Sequence, residues 1–176
     1  DWSYPDGVDP NRNYGWEWGG QGAAVDEGEL TYRGPYAFSE PEVQAMRDLM
    51  IDHHFVAGIT YHSYSELVLF PFGYADGAIA PDHFAMQDLA VNMASTIEGQ
   101  NGGTYTPQNS WELYPASGVT DDYAYGEHGI YSYTFELATE FIPPASEVLG
   151  ICENNLEAAL ILLDRVHHST LTGIVT

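Results

Sequence analysis

Two short apolar segments constrain the fold of this chain more than any other feature. Residues 55–61 (FVAGITY) are too apolar to face water on one side, which is typical of a buried strand. Residues 130–137 (IYSYTFEL) alternate with a period of two and predict a second strand. Helical patterns lie before, between and after these segments. Strands separated by helices predict an α/β fold with a mixed, mainly parallel sheet and helices on both faces.

Three segments have the apolar spacing of helices: residues 38–51, 81–98 and 146–166. In the first, Ser39 with Glu42 three residues later has the pattern of a capping box. Apolar residues recur along each segment at helical spacing, and we expect them to face the core. They are Val43, Met46, Leu49 and Met50; Phe84, Leu89, Met93 and Ile97; and Leu149, Leu156, Leu160 and Leu163.

Two segments without a period are expected to be loops. Residues 1–38 are rich in Gly, Trp and Tyr and predict an ordered loop region. Residues 101–129 are rich in Gly, Pro, Ser and Asp. Loops of this length inside a compact domain are uncommon and are usually functional.

The charge of the chain limits its partners. Its 176 residues suffice for one domain and include 26 Asp and Glu against four Arg and no Lys, a formal net charge of −22. Such a surface repels nucleic acid and anionic membranes, and no stretch approaches the roughly 20 apolar residues of a membrane span. The acidity fits a secreted, extracellular or periplasmic protein from a salty environment, and it fits equally a need for solubility alone. The lone Cys152 predicts a small buried side chain and no internal disulfide.

Three side chains are candidates for function. His62 and Glu136 end the predicted strands, and ligand sites of open α/β sheets lie beyond the carboxyl ends of strands. An imidazole can bind a metal, and partial burial would raise the pKa of the carboxyl group toward that of a general base. Arg12 lies among turn-forming residues between two asparagines, a setting suited to binding a carboxylate. Taken singly, such residues are more often ordinary surface or hydrogen-bonded groups.

Several segments together are similar to the zinc metallocarboxypeptidases of the carboxypeptidase A/B type. Each is a weak signal alone, but their order is also the order of the family. The resemblance extends from residue 7 to about residue 165 and implies the zinc-peptidase fold. The segments are GVDPNRNYGW (7–16), GPYAFSEPE (34–42), YHSYSELVLFPFGY (61–74), ELYPASGVTDDYAY (112–125) and YSYTFEL (131–137).

The resemblance implies a metallopeptidase that removes the C-terminal residue of peptides or proteins. His62 is similar to the family's zinc-binding histidine at the end of a central strand, with Ser63 lining the adjacent substrate pocket. Glu136 is similar to the general base that takes a proton from zinc-bound water and later passes it to the leaving amine.

The resemblance also assigns residues to the substrate. Asn11 and Arg12 are similar to the pair that holds the free C-terminal carboxylate, and Tyr114 to the mobile-loop tyrosine that closes over it. Tyr64 and Phe141 are similar to aromatic walls for the residue upstream of the cleaved bond.

The expected side-chain preference depends on one acid. Asp121 falls where the family has the residue at the bottom of the pocket for the substrate's last side chain. An acid there implies a preference for C-terminal Lys or Arg, as in carboxypeptidase B-like members. The alternative is that Asp122 takes this role and Asp121 stabilises the loop, because a shift of one residue exchanges them.

Part of the family's zinc site has no counterpart in the sequence. The other two ligands of the family belong to one His-x-x-Glu motif upstream, and no histidine of this chain is followed by Glu three residues later. Catalytic zinc needs three protein donors. We therefore expect zinc as the cofactor, with one ligand here and two upstream of residue 1, and a chain that is inactive alone.

The beginning of the chain supports the same expectation. Residues 1–10 lack the basic start and apolar centre of a signal peptide and read as the interior of a domain. We expect residues 1–176 to be the C-terminal part of a single catalytic domain, incomplete at its N-terminal side, whose missing part is a partner. Sheet edges and apolar faces should then be exposed.

Alternative functions stay open from the sequence. A non-catalytic relative would bind carboxylates without zinc, but it would not need Glu136 as a base. An amidase-type relative would act on cell-wall or acyl-amino-acid substrates, whereas Asn11 and Arg12 favour ordinary peptide C-termini. A structural protein would leave His62, Arg12 and Glu136 as coincidences.

Overall fold

The computed structural model of the chain describes residues 7–168, so both ends of the predicted 1–176 domain lie outside the described residues. A 3-10 helix, Pro10–Arg12, precedes the regular elements. The strands are β1 (Ala57–Ser63), β2 (Leu67–Phe70), β3 (Thr106–Asn109) and β4 (Tyr131–Leu137). The helices are α1 (Pro41–Asp52), α2 (His83–Ala94), α3 (Ser110–Leu113), α4 (Thr120–His128) and α5 (Ala145–His168). Within residues 7–168, no helix has the length and apolar character needed to cross a bilayer.

The strands form one open, mixed sheet in the order β1-β4-β2-β3. β1 runs parallel to β4 and β2 parallel to β3, while β2 and β4 are antiparallel. The predicted α/β class with a mixed sheet and helices is confirmed. β4 has a neighbour on each side, and all of its interior residues are buried. The alternation of polar and apolar residues in β4 therefore does not distinguish a solvent-exposed face from a buried one.

The two faces of the sheet differ in chemistry. Tyr133 and Phe135 of β4 are fully buried in the main hydrophobic cluster, together with residues of α2 and α5. Side chains alternate along a strand, so Thr134 and Glu136 point to the opposite face. On that face the hydroxyl oxygens of Thr60 and Thr134 lie 2.9 Å apart. Burial of each large side chain stabilises the apolar face by about 1.5–3 kcal/mol, and the other face carries the polar groups.

Helix α5 buries a different face from the one predicted. Its buried residues are Ile151, Asn155, Ala158 and Leu162. Both faces of this helix are partly apolar, and the buried one includes small and polar residues that a search for leucines does not detect. Cys152 lies outside the buried face and is exposed, so the prediction that it is buried is wrong. The leucines predicted to face the core are 47–69% exposed: Leu149, Leu156, Leu160 and Leu163.

Helices α1 and α2 also differ in detail from the prediction. The N-cap of α1 is Glu40, which makes no side-chain capping bond, so the predicted Ser39 capping box is wrong. The hydroxyl of Ser39 instead donates to Glu40. In α2, Phe84 is 83% exposed rather than buried. The predicted stripe residues that are buried are Val43, Leu89, Met93 and Ile97, and those that are exposed are Phe84, Met46 and Leu49.

The segment predicted as one long loop, residues 101–129, contains β3, α3 and α4. This prediction is wrong because each element is too short to show a clear apolar period. β3 has β2 as its partner strand and lies at the sheet edge, so its sequence TPQN has no apolar signal. Residues 7–38 have no α-helix, as predicted, and the backbone there is joined by a bridge between Ala24 and Tyr32.

Candidate active site

A cavity of about 620 Å³ opens at the carboxyl ends of β1 and β4, on the polar face of the sheet. It brings together every residue that the sequence singled out for a site, although these come from distant parts of the chain. They are Asn11, Arg12, His62, Ser63, Tyr64, Tyr114, Asp121, Glu136 and Phe141.

His62 and Glu136 are direct neighbours across β1 and β4. The parallel register pairs their Cα atoms, so both side chains leave the same face of the sheet and reach the same cavity. Burial is the main reason that the pKa of His62 is lowered, while the negative charge of Asp121 opposes this shift. A histidine with a lowered pKa is neutral near pH 7 and keeps a ring nitrogen available as a ligand.

Glu136 is only 7% exposed and makes no side-chain hydrogen bond with the described residues. Burial, followed by the charge of Asp121, raises its pKa to about 7. A carboxyl group with this pKa exchanges protons near neutral pH, as a general acid or base must. The geometry and the titration of Glu136 are therefore suited to proton transfer inside the cavity.

Arg12 is held by main-chain carbonyl groups. It is 7% exposed, its Nε donates to the carbonyl of Gly22 at 2.9 Å, and its Nη1 donates to the carbonyl of Asn11 at 2.7 Å. The carboxylate of Asp9 is 3.9 Å from Nη1, the outer limit of an ion pair. Nη2 has no hydrogen-bond partner among residues 7–168. The guanidinium is thus fixed in orientation with one nitrogen left for a ligand.

Asn11 is oriented by the first turn of α4. Its side-chain oxygen accepts hydrogen bonds from the backbone nitrogen of Thr120 at 2.9 Å and from its hydroxyl at 3.0 Å. The amide NH₂ group then remains as a donor. Gly118 allows the loop before α4 to lie close to the segment that carries Arg12. Its φ is +71°, and a Cβ there would overlap the carbonyl oxygen of Arg12.

The two acids at the start of α4 have different surroundings. Asp121 lines the cavity, and its carboxylate lies 3.0 Å from the hydroxyl of Ser110. The two carboxylate oxygens of Asp122 share the single backbone N–H of Gly73, at 2.8 and 3.0 Å from its nitrogen. Burial raises the pKa of both acids. Of the two residues that the sequence left interchangeable, Asp121 is the one that faces the cavity.

Aromatic side chains form the rim of the cavity. Tyr64, Tyr114 and Phe141 are each half exposed. The hydroxyl of Ser63 donates to the carbonyl of Phe141 at 2.9 Å, which joins the end of β1 to the loop after β4. Partly exposed aromatic groups offer apolar contact area at low conformational cost.

Some residues of the cavity were missed from the sequence. Asp9, Ser110 and Thr134 also line it. The position of Thr134 follows from that of Glu136, because residues two apart on a strand share a face. Ser110 gives no local signal, since it reaches the cavity only through the pairing of β2 with β3.

The described residues do not by themselves fit a complete catalytic zinc site. Such a site takes three protein donors and keeps one open position. In residues 7–168, no group of three His, Cys, Asp or Glu side chains is placed to hold a metal ion. His62 can provide one donor, because its ring lies in the cavity beside Glu136 and its lowered pKa keeps it neutral.

Comparisons with known proteins agree on one family. Residues 3–158 match the family described as zinc carboxypeptidase. Carboxypeptidase A1 of Rattus norvegicus is 35% identical over 164 residues, which cover 90% of this chain and 39% of the relative. Carboxypeptidase B of Bos taurus is 35% identical over 159 residues, covering 86% of this chain and 38% of the relative. The chain thus spans about two fifths of the length of these relatives.

The fold is shared with a solved structure of the same family. The crystal structure of thrombin activatable fibrinolysis inhibitor superposes with a TM-score of 0.86 at 33% identity. The likeness covers 93% of this chain and 43% of that one.

Proposed function

Because the chain belongs to the zinc carboxypeptidase family, we propose that its cavity binds the C-terminal residue of a peptide and takes part in hydrolysing the bond before it. One observation carries the proposal. Arg12, with a free guanidinium nitrogen, and Glu136, a buried carboxyl group without a hydrogen-bond partner among residues 7–168, line the same cavity. An anion site beside a proton acceptor is what an exopeptidase needs for a free C-terminus.

In this proposal the terminal carboxylate is bound by donors that are already oriented. Nη2 of Arg12 and the NH₂ group of Asn11 donate to its two oxygens, and the hydroxyl of Tyr114 adds a third hydrogen bond from the rim. Because Arg12 is fixed by two carbonyl groups, little conformational entropy is lost on binding. Tyr64 and Phe141 contact the residue upstream of the cleaved bond.

Glu136 is proposed to handle the protons of the reaction. It takes one proton from the attacking water, whose oxygen bonds to the carbonyl carbon of the peptide. It then gives that proton to the nitrogen of the leaving amine as the C–N bond breaks. The pKa of about 7 suits both steps, because neither transfer then has a large energetic cost.

Zinc is proposed as the metal of the complete site, with His62 as one donor. Two further donors are proposed to come from sequence upstream of residue 1, so that residues 1–176 form the C-terminal part of one catalytic domain. The same upstream polypeptide would pair with the outer edge of β1 and cover the exposed leucines of α5. We propose that this larger protein is secreted, in keeping with its acidic surface.

A preference for basic C-terminal residues is proposed from Asp121. Its carboxylate is buried in the cavity and is hydrogen bonded to Ser110 alone among side chains of the described residues. A Lys or Arg side chain entering there would find an acceptor of opposite charge. Asp122 is a poorer candidate for binding a basic side chain, because both of its carboxylate oxygens are hydrogen bonded to the backbone nitrogen of Gly73.

A second candidate function is binding without hydrolysis. It is favoured by the absence of three metal donors in residues 7–168. In that case the chain by itself holds peptide C-termini through Arg12 and Asn11 but does not cleave them.

The test uses one acylated dipeptide with a free C-terminal carboxylate and its C-terminal amide. Calorimetry on the 176-residue chain should detect binding of the free peptide at least about tenfold tighter than of the amide. Equal affinities would contradict the proposed carboxylate site. Incubation with Zn²⁺ followed by chromatography should show intact peptide, and cleavage of the free form alone would refute the proposed inactivity of the isolated chain.

A further inference from the structure

The backbone just after β4 is held by two side chains from a segment that does not line the cavity, residues 98–106. The hydroxyl of Tyr105 accepts a buried hydrogen bond from the backbone nitrogen of Ala138 at 3.2 Å. The side-chain oxygen of Gln100 accepts from the backbone nitrogen of Thr139 at 2.8 Å and from its hydroxyl at 3.0 Å. Two consecutive N–H groups are therefore bound by one segment.

Ala138 needs such support because its backbone is strained. Its φ of +61° lies in the left-handed region, although it is not a glycine, and it is 1% exposed. A residue with a Cβ persists there only when its surroundings fix it. Its carbonyl also accepts a hydrogen bond from the backbone nitrogen of Ser65 at 3.0 Å, which ties the turn after β1 to the turn after β4.

Gln100 is itself anchored on two sides. Its backbone nitrogen donates to the carboxylate of Glu66 at 2.6 Å, and its NH₂ group donates to the carboxylate of Glu147 at 2.7 Å. Glu66 lies in the turn after β1, and Glu147 lies in the first turn of α5. Gln100 thus joins Thr139 to the turn after β1 and to the first turn of α5.

The residues held in this way flank the cavity. Phe141 stands three residues after Ala138, and Tyr64 stands directly before Ser65; both line the cavity. We propose that Gln100 and Tyr105 are positioning residues that fix the turn after β4 and so place Phe141 and Tyr64 as walls of the cavity. The consequence for the residue upstream of the cleaved bond rests on the proposed function.

Residue-resolved hydrogen exchange on the 176-residue chain tests this directly, without a ligand. Tyr105→Phe removes one hydroxyl, and Gln100→Ala removes the acceptor of Thr139. We expect exchange at least about tenfold faster at Ala138 in the first variant and at Thr139 in the second. The amide of Phe135 in β4 should be unchanged. Tyr36→Phe and Asn101→Ala, which change exposed side chains, are the matched controls.

Two outcomes would overturn the inference. In one, Ala138 and Thr139 exchange as in the wild type. In the other, exchange rises equally at Phe135, which would mean a general loss of stability rather than loss of a local support. As a second readout, 4-fluorophenylalanine at position 141 should give one sharp fluorine signal in the wild type and a shifted or broadened one in both variants.

A charge exchange checks the contribution of Gln100. In Gln100→Glu, a carboxylate faces Glu147 and repels it, so the turn should loosen. Adding Glu147→Gln supplies an NH₂ group to the new carboxylate, which still accepts from Thr139. Exchange at Thr139 should return to within about twofold of the wild type. Failure of this rescue would contradict the assignment of Gln100.

Peptide binding separates this inference from the proposed function. Acylated dipeptides with Phe or Gly before the last residue are compared as free acids and as amides. A wild type that does not distinguish acid from amide refutes the proposed function, while hydrogen exchange still decides the inference. A wild type that does distinguish them, with an unchanged preference for Phe over Gly in Tyr105→Phe and Gln100→Ala, would overturn the role assigned to these residues.

Discussion

Asn11 and Thr120 join the segment that carries Arg12 to the first turn of α4, through two hydrogen bonds of 2.9 and 3.0 Å. Asp121 is the next residue along that helix. The group proposed to bind the terminal carboxylate and the group proposed to bind the last side chain therefore belong to one connected unit. The distance between Arg12 and Asp121 is therefore set by hydrogen bonds within the chain. Single substitutions at either residue can test its proposed role.

Arg12→Lys should weaken binding of peptides with a free C-terminus at least about tenfold. Arg12 binds two carbonyl groups and still offers Nη2, whereas a lysine ammonium is a single point that cannot span these partners. Calorimetry with the free and amidated dipeptide measures the effect. Arg47→Lys, at an arginine whose partner is the exposed Asp48, is the control and should bind as the wild type does. Equal binding by Arg12→Lys would contradict the carboxylate site.

Asp121→Asn should lower the affinity for a peptide ending in Arg about tenfold or more and change that for one ending in Leu much less. The reason is the loss of a buried negative charge opposite the substrate's cation. Asp122→Asn is the comparison. It should leave the ratio of the two affinities unchanged, because its carboxylate faces the backbone nitrogen of Gly73 rather than the cavity. Equal losses for both peptides in Asp121→Asn would refute the assignment.

The pKa of Glu136 predicts a pH dependence of stability. Burial raises this pKa from 4.5 to about 7, so the folded state binds a proton that the unfolded state has released. The stabilising contribution is complete below about pH 4.5 and is lost as the pH rises through 7. One pKa unit corresponds to about 1.4 kcal/mol, so the loss is about 3 kcal/mol.

Urea unfolding of the wild type and of Glu136→Gln between pH 4 and pH 8 isolates this effect. The difference in free energy of unfolding between the two proteins should change across the window, since glutamine does not titrate. A constant difference would show that Glu136 has an ordinary pKa.

Gly118→Ala should destabilise the fold more than Gly77→Ala. Both glycines have a φ of +71°, so an added side chain strains the backbone equally. At Gly77 nothing lies within 4 Å of the new Cβ, whereas at Gly118 the Cβ overlaps the carbonyl of Arg12. We expect a loss of about 1 kcal/mol for Gly77→Ala and a further 1–3 kcal/mol, roughly, for Gly118→Ala. Urea unfolding measures both, and equal losses would contradict the tight contact at Arg12.

The positions of the chemical groups could be predicted where the sequence carries a local signal. His62 and Glu136 end apolar strands, and the pairing of β1 with β4 then places them side by side. Arg12 stands out because the chain has so few cations. The family resemblance was needed to assign His62, Glu136 and Arg12 to one site, because no single segment indicates which other segments it contacts.

The parts that could not be predicted depend on contacts between distant segments. Leucines lie on the exposed face of α5, while Ala158 and Asn155 face the core. Which face is buried depends on how the helix packs against the sheet and α2, and the sequence of α5 alone does not show this. β3 has no apolar pattern because it lies at the sheet edge. The hydrogen bond between Ala138 and Tyr105 joins residues 33 positions apart, and neither local sequence predicts it.

Arg12 and Asp121, the two groups of the proposed recognition, differ in how far they depend on a neighbouring side chain. Arg12 is held by main-chain oxygens, which no substitution of the neighbouring side chains removes directly. The carboxylate of Asp121 is bound by backbone N–H groups and by the hydroxyl of Ser110, its one side-chain partner among residues 7–168. Under the proposed roles, substitutions at Ser110 and Asp121 alter the preferred terminal side chain, while binding of the terminal carboxylate by Arg12 is kept.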